Sequence, residues 1–400
     1  MKILQIKLLT LLEILLATLW IFVTVLTLSV AQNDRFMASR QQFALELFKN
    51  TQSTSNMLIS PLSIDFVLHL MFLGSTKSTT TEMKNGLGYP KSFNAKAIEL
   101  NLQKWSADIK MINGVEVATK IYVNNTLAIK NSYKLSIRKT LSSDLEKIAF
   151  IKSKPATKKI NKWISDSTHN LIKNMIAPGV IDKDTLMILI NCIYFGGKWA
   201  DPFIPNANLF ENFTAIDESV KTIEFMYQSS VLNFSKDVPE LKGASAVSLN
   251  YDNTTVSMLF VLPPADVDFK SWMSSINKIN WSAVDKSMKP VEVRLRIPKF
   301  NITFDDDMKK FLKKMQINSI FENEAHLDKI FAGQKAKVEN LFHKTIIQVD
   351  EVGTVAVGVA VMKIVSYSMP FNPPEFTANR PFIFFIRSGP TIMFVGQYVE

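Results

Sequence analysis

Four histidines and one cysteine are the residues of this 400-residue chain best suited to acid–base or nucleophilic chemistry, and their settings argue against both. His69 lies inside an apolar helical run, His343 stands between an apolar residue and a strand, and His169 and His326 occupy two further unrelated contexts. Each reads as a hydrogen-bonded structural imidazole rather than a catalytic base. Cys192 is lodged in the apolar run Leu186 to Phe195, where a thiol acts as a small buried hydrophobe. No Gly-x-Ser-x-Gly elbow, phosphate-cradling glycine loop, His-Glu-x-x-His or metal-binding cysteine pair occurs. The residues therefore point away from an enzyme and imply no metal and no cofactor, although a triad is a matter of geometry and not of sequence order.

The most informative stretch runs from Val352 to Val361. Gly353, Thr354, Ala356, Gly358 and Ala360 are small, and Val355, Val357, Val359 and Val361 alternate with most of them. A period of two sends the valines to one side and the small residues to the other, as in a strand packed closely on its small-residue face. Two readings follow: an ordinary buried strand, or a strand held outside a sheet and free to join it later. The continuation from Met362 to Pro374 favours the second, because it lacks clean alternation and ends in Pro370, Pro373 and Pro374, which stop pairing.

The elements that must position this segment are legible from spacing. Phe36, Phe43, Ala44, Leu47 and Phe48 form the stripe of an amphipathic helix. Ser60 caps a second helix whose first position is Pro61. Ile160, Trp163, Ile164, Leu171 and Ile172 mark a helix after Pro155, and Met308, Phe311, Leu312 and Met315 mark another whose acidic start, Asp305 to Asp307, complements the helix dipole. Leu186 to Phe195 reads as a central strand, and Val291 to Ile297 as one with a wet face. Phe382 to Ile386 and Ile392 to Val399 read as a hairpin turning at Ser388-Gly389-Pro390. Helices lead and strands gather late, which predicts an α+β fold.

Length and apolar content suffice for one large core, with no internal repeat or linker to divide the chain. Residues 1–31 read as a secretory signal cleaved after Ala31, leaving a single domain over 32–400; the apolar run Ile14 to Val30 is also long enough to suggest an uncleaved anchor. Six sequons, at Asn124, Asn212, Asn233, Asn253, Asn280 and Asn301, suit an extracellular glycoprotein. The single cysteine excludes an intramolecular disulfide, so core size must hold the domain together. Formal charge is +10, of which Lys2, Lys7 and Glu13 in the leader contribute one. The densest basic group, Lys152, Lys154, Lys158, Lys159 and Lys162, lacks interleaved aromatics and reads as a solvated face rather than a nucleic-acid or glycan site.

Several blocks, in order, resemble the serpin family over essentially the whole mature sequence. Asn56 to Leu73 looks like the family's shutter helix, and Asn191 to Trp199 like its central strand leading to the breach tryptophan, Trp199. His343-Lys344 followed by Val349 to Thr354 looks like the strand and hinge before the reactive loop, and Phe376 to Ile386 like the C-terminal signature. Antitrypsin is similar in layout. The resemblance implies a metastable fold of three β-sheets and about nine helices, with an exposed reactive-centre loop over about 351–375 offered as bait to a serine protease. Cleavage would form an acyl-enzyme, and the freed loop would insert into the main sheet, distorting the protease and trapping it. Ser60, Ser63, Asn191 and His343 match the family's shutter cluster.

Counting about seventeen residues from the hinge glutamate, Glu351, places the scissile bond at Tyr367–Ser368, and Tyr367 suits the hydrophobic pocket of a chymotrypsin-like protease. Counting back from Pro373-Pro374-Glu375 lands near Pro370, so the loop is a few residues longer than usual. Gly353 is expected to be a flexible hinge, and Thr354, Ala356, Gly358 and Ala360 to face the core after insertion, where a charge would have to be desolvated. Val352 departs from the family's usual charged residue, and Val357 and Val359 from its commoner alanines. These departures keep a non-inhibitory binding or carrier serpin as the competing reading. The expected molecule is a monomer with no nucleic-acid partner and no stable membrane association.

Overall fold

The computed structural model describes residues 2–204, 207–354 and 372–400. The chain opens with helix α1 (Lys2–Thr51), the short strand β1 (Met57–Ile59) and helices α2 (Pro61–Gly74), α3 (Lys77–Gly86) and α4 (Ala95–Lys110). Strand β2 (Val115–Asn124), α5 (Asn131–Leu141), β3 (Asp144–Ile148) and α6 (Ser153–Ser167) follow, then β4 (Met187–Phe195), β5 (Gly197–Lys198), β6 (Leu209–Thr214) and the long β7 (Val220–Val238). Next come β8 (Ala244–Asn250), β9 (Val256–Leu262), α7 (Phe269–Ser275), α8 (Trp281–Ser287), β10 (Lys289–Pro298), β11 (Phe300–Asp307) and α9 (Lys309–Lys314). The chain closes with β12 (Asn340–Val349), β13 (Gly353–Thr354), β14 (Glu375–Thr377), β15 (Phe382–Ser388) and β16 (Thr391–Tyr398).

Nine α-helices and two sheet networks thus make an α+β fold among the described residues. One network has seven strands in the order β3-β2-β4-β12-β13-β5, with β11 also on β12; the other has nine, β1-β16-β15-β9-β8-β7-β10-β14, with β6 also on β7. The expected third sheet is continuous with the second, because β7 spans 19 residues and serves both halves. Its residues Phe225–Phe234 pair with β10, and Asn233–Val238 pair with β8. The larger apolar cluster, including Phe48, Leu68, Leu189, Phe260, Leu341 and Phe384, lies against both sheets, and a second, including Tyr122, Ile160, Ile176 and Cys192, packs α6 on the seven-stranded sheet.

Local chemistry accounts for most boundaries. The Ser60 side chain accepts from Ser63 N and Pro61 starts α2, as the spacing predicts. The central strand β4 is buried at all but one position, and β15 and β16 form the predicted hairpin. Two expectations are corrected. Helix α6 stops at Ser167, so Leu171 and Ile172 lie beyond it; His169 and Asn170 turn the chain at φ 49° and 65°. Asp305 to Asp307 are the end of β11, paired with Lys344 to Phe342; Asp307 reaches the following helix by accepting from Lys309 N at 3.0 Å, and Asp306 by an ion pair with Lys310.

Candidate functional site

The seven-stranded sheet carries a seam. Strands β4 and β12 run parallel and are paired from Ile188 to Cys192 and from Asn340 to Lys344. Above that stretch the register between them stops, and the two-residue strand β13 enters from the far end, pairing Thr354 with Val349 of β12 and Gly353 and Thr354 with Lys198 and Gly197 of β5. The chain leading to residue 355 is therefore already seated at the mouth of the seam. Ala356, Gly358, Ala360, Tyr367 and Ser368 lie outside the described residues.

Beneath the seam the register places His343 opposite Asn191, and the N-terminus of α2 brings up Ser60 and Ser63. All four are fully buried. The backbone N–H of Ser60 donates to Nε2 of His343 at 3.0 Å, so that nitrogen must accept and the proton sits on Nδ1, which donates to Asn191 Oδ1 at 3.3 Å. The Asn191 amide donates to Ser63 O at 2.6 Å and to Thr119 Oγ1 at 3.1 Å. Ser60 Oγ donates to Met393 O at 2.7 Å and Ser63 Oγ to Ser60 O at 3.1 Å, so the network ties both sheets and α2 together. Burial pushes the His343 pKa down to about 3, which keeps the ring neutral. Thr345, two residues along β12, donates to Leu58 O at 2.6 Å and extends the same anchorage.

At the mouth of the seam the chemistry changes. Trp199 N donates to Val352 O and its indole N–H to Asp350 O, each at 2.9 Å. The indole stacks on Tyr251 with centroids 4.5 Å apart, and the Tyr251 hydroxyl meets Thr354 Oγ1 at 2.6 Å. Thr354 is thereby buried before any insertion. The Asp350 carboxylate accepts from Val352 N at 2.9 Å and Gly353 N at 3.1 Å, forming the turn that aims β13 into the sheet. Glu351 is held by Lys299, whose Nζ donates at 3.0 and 3.1 Å, and by the Asn208 amide. Burial alone would raise the Glu351 pKa, but these donors outweigh it and hold the carboxyl below its usual range.

Gly353 meets a packing requirement in addition to the expected hinge role. A Cβ there would stand 2.1 Å from Gly197 O, inside the neighbouring backbone, so close approach of two strands demands glycine. Val352 is half-buried in the turn.

Among the remaining chemistry-bearing residues, Cys192 is buried, which pushes its thiol up to about 12. His69 bridges Asp65 O and the Tyr89 hydroxyl, each at 2.7 Å, as a structural imidazole. His169 is exposed beside Glu116 at 3.0 Å. The sequon at Asn124 is closed by the fold: its buried amide donates to Thr185 O at 3.1 Å, and its Oδ1 accepts from Thr126 N and Oγ1. Asn212, Asn233, Asn253, Asn280 and Asn301 are exposed. Tyr251, Asn208, Lys299 and Thr119 carry no local sequence signal and meet the site only through the tertiary fold.

Comparison with known proteins is unambiguous about kinship. The family described as "Serpin (serine protease inhibitor)" matches residues 38–400. Serine protease inhibitor 42Dd of Drosophila melanogaster is 30% identical over 367 residues, covering 89% of this chain and 94% of that protein. Leukocyte elastase inhibitor of Sus scrofa is 28% identical over 380 residues, covering 91% and 99%. The crystal structure of Serpin48 from the insect Tenebrio molitor superposes with a TM-score of 0.80 at 24% identity, covering 92% of this chain and 98% of that one.

Proposed function

The chain belongs to the serpin family, and from that premise we propose that it is a secreted suicide inhibitor of a chymotrypsin-like serine protease, with Tyr367–Ser368 as the bait bond. The protease serine attacks the Tyr367 carbonyl, the Ser368 amine leaves, and an ester joins Tyr367 to the enzyme. The segment after Thr354 then enters the seam between β4 and β12. The observation that carries this reading is the seam itself, in which five register pairs hold β4 to β12 while Gly353 and Thr354 already occupy its mouth.

Insertion replaces one short parallel pairing by two longer ladders and carries Ala356, Gly358 and Ala360 in behind the already buried Thr354, all four small and uncharged. The ester survives only if this happens before water cleaves it. Val357 and Val359 are the features that favour the second reading, a carrier whose loop is cut without trapping.

Secretion rests on the leader. Among the described side chains of α1, Leu15, Trp20 and Phe22 are 62%, 71% and 66% exposed and the first buried one is Phe36, which suits a domain spanning 32–400. The five open sequons suit the same route. No helix among the described residues is long and apolar enough to cross a membrane. The proposed molecule acts as a monomer.

Incubation with chymotrypsin tests the proposal. An inhibitor gives a covalent band that resists denaturant, with cleavage after Tyr367 read by mass spectrometry; a carrier gives clipped chain alone. Thr354→Arg introduces a charge at a buried position and should reduce the band at least tenfold while leaving cleavage intact.

A further inference from the structure

Helix α6 and the segment 173–179 flank an open cleft of about 1020 Å³ on the side of the helix turned away from the sheet. Ala156, Ile160 and Ile164 of α6 face the sheet, whereas Lys154, Lys158 and Lys162 recur every four residues along another flank and line the cleft. At 1.5 Å rise per residue their stems stand about 6 Å apart along the axis. Lys173 lines the same cleft from the following segment, and no carboxylate or arginine lines it.

This arrangement works against the helix. The first turn of α6 has no acidic residue and contains Lys154, and Lys154/Lys158 and Lys158/Lys162 are like-charge pairs one turn apart. Partial relief is peripheral: Asp166 meets Lys162 at 2.7 Å, and Lys159, on the neighbouring flank, pairs with Glu146. Charge placed against local stability is the mark of a site kept for a ligand.

The far wall is fixed. The Asn161 amide donates to Ile176 O and accepts from Ile176 N, both at 2.9 Å, so the wall is pinned to the helix at one point. Ala177 and Pro178 supply an exposed apolar surface over the buried Ile176, to which the lysine stems add their methylenes. Cleft size, an apolar lining and a few convergent charges are the features of a small-molecule site. The lack of arginine forks and of lining aromatics disfavours phosphate-backbone recognition and base stacking.

We propose that this cleft binds a small amphipathic organic anion, an apolar body seated on Ala177, Pro178 and the lysine stems with a carboxylate or sulfate head held by Lys158, Lys162 and Lys173. None of the residues lining the cleft belongs to β4 or β12, and binding is read without a protease, so the test does not depend on inhibition.

Calorimetric titration of the full-length protein with laurate should show one saturable site. Inorganic sulfate, an anion without a body, and decyl maltoside, a body without an anion, should bind at least tenfold more weakly. Lys158→Glu should weaken laurate at least tenfold while forming a favourable Glu–Lys162 pair on the helix, so an unchanged Tm separates lost binding from lost folding. Ala177→Trp fills the cleft and leaves every lysine in place; it should weaken laurate to the same extent. Laurate binding that is absent, unsaturable or indifferent to both variants overturns the proposal. So does heparin binding that falls with Lys158→Glu, ignores Ala177→Trp and occurs without laurate binding, which would make the lysines a strip for a polyanion.

Discussion

The two ends of the seam are held shut by opposite kinds of chemistry. The cluster beneath β4 and β12 is neutral and without water access: Ser60, Ser63, Asn191 and His343 exchange hydrogen bonds among themselves and with backbone carbonyls. The mouth is held by an aromatic stack, a hydroxyl pair and a part-exposed ion pair, with Lys299 38% and Glu351 18% exposed. A buried neutral network is costly to break because each orphaned group loses its partner without gaining water. A wet ion pair opens at little cost and is screened by salt. Stability should therefore depend on the lower cluster, and the mouth should govern when the segment after Thr354 is released.

The sharpest way to break this contrast is Asn191→Ala. It strips Ser63 O, Thr119 Oγ1 and His343 Nδ1–H of a partner at once, at about 1–3 kcal/mol for each group left dry. We expect a loss of about 2–4 kcal/mol by chemical denaturation, the largest of the series. A loss below 1 kcal/mol would mean that water or a neighbour replaces the amide.

Acid probes the same cluster. The folded-state pKa of His343 lies well below the unfolded value of about 6.5, so its contribution to stability is complete above pH 6.5 and declines as pH falls towards about 3. The slope reaches about 1.4 kcal/mol per pH unit between those limits. It should be read as the difference between the native chain and His343→Gln over that range, and parallel curves would contradict a ring held neutral by burial.

The smallest effect belongs to the mouth. Lys299→Met should change stability by less than about 1 kcal/mol, and by less still in high salt. It should nevertheless shorten the life of the uninserted form, read as faster polymer or latent-form appearance on native gels, because Glu351 is freed. A large loss of stability with no change in that lifetime would reverse the division of labour drawn here.

How far the sequence foretells these regions differs in the same way. The Ser60 cap, the central strand β4 and the β15–β16 hairpin follow from local spacing, since apolar period and capping act over a few residues. The lower cluster joins residues 283 and 152 positions apart, from Ser60 to His343 and from Asn191 to His343, and was reached by family resemblance and not by periodicity. At the mouth the resemblance supplied Glu351, Gly353 and Trp199, but Tyr251, Lys299 and Asn208 arrive only through tertiary register. Asn124 shows the converse: a valid sequon motif is blind to the Thr185 carbonyl that buries it. At Gly353 the sequence suggests a hinge, whereas the approach of Gly197 O is invisible until the strands are paired.

All of this supposes that the intact molecule is held short of its most stable arrangement. Thermal unfolding of the protein before and after a single cut between residues 355 and 371 tests that supposition most directly. A rise in Tm of tens of degrees after the cut is the predicted result, since the released segment gains a place between β4 and β12. An unchanged Tm, with the cut verified by mass, would contradict it.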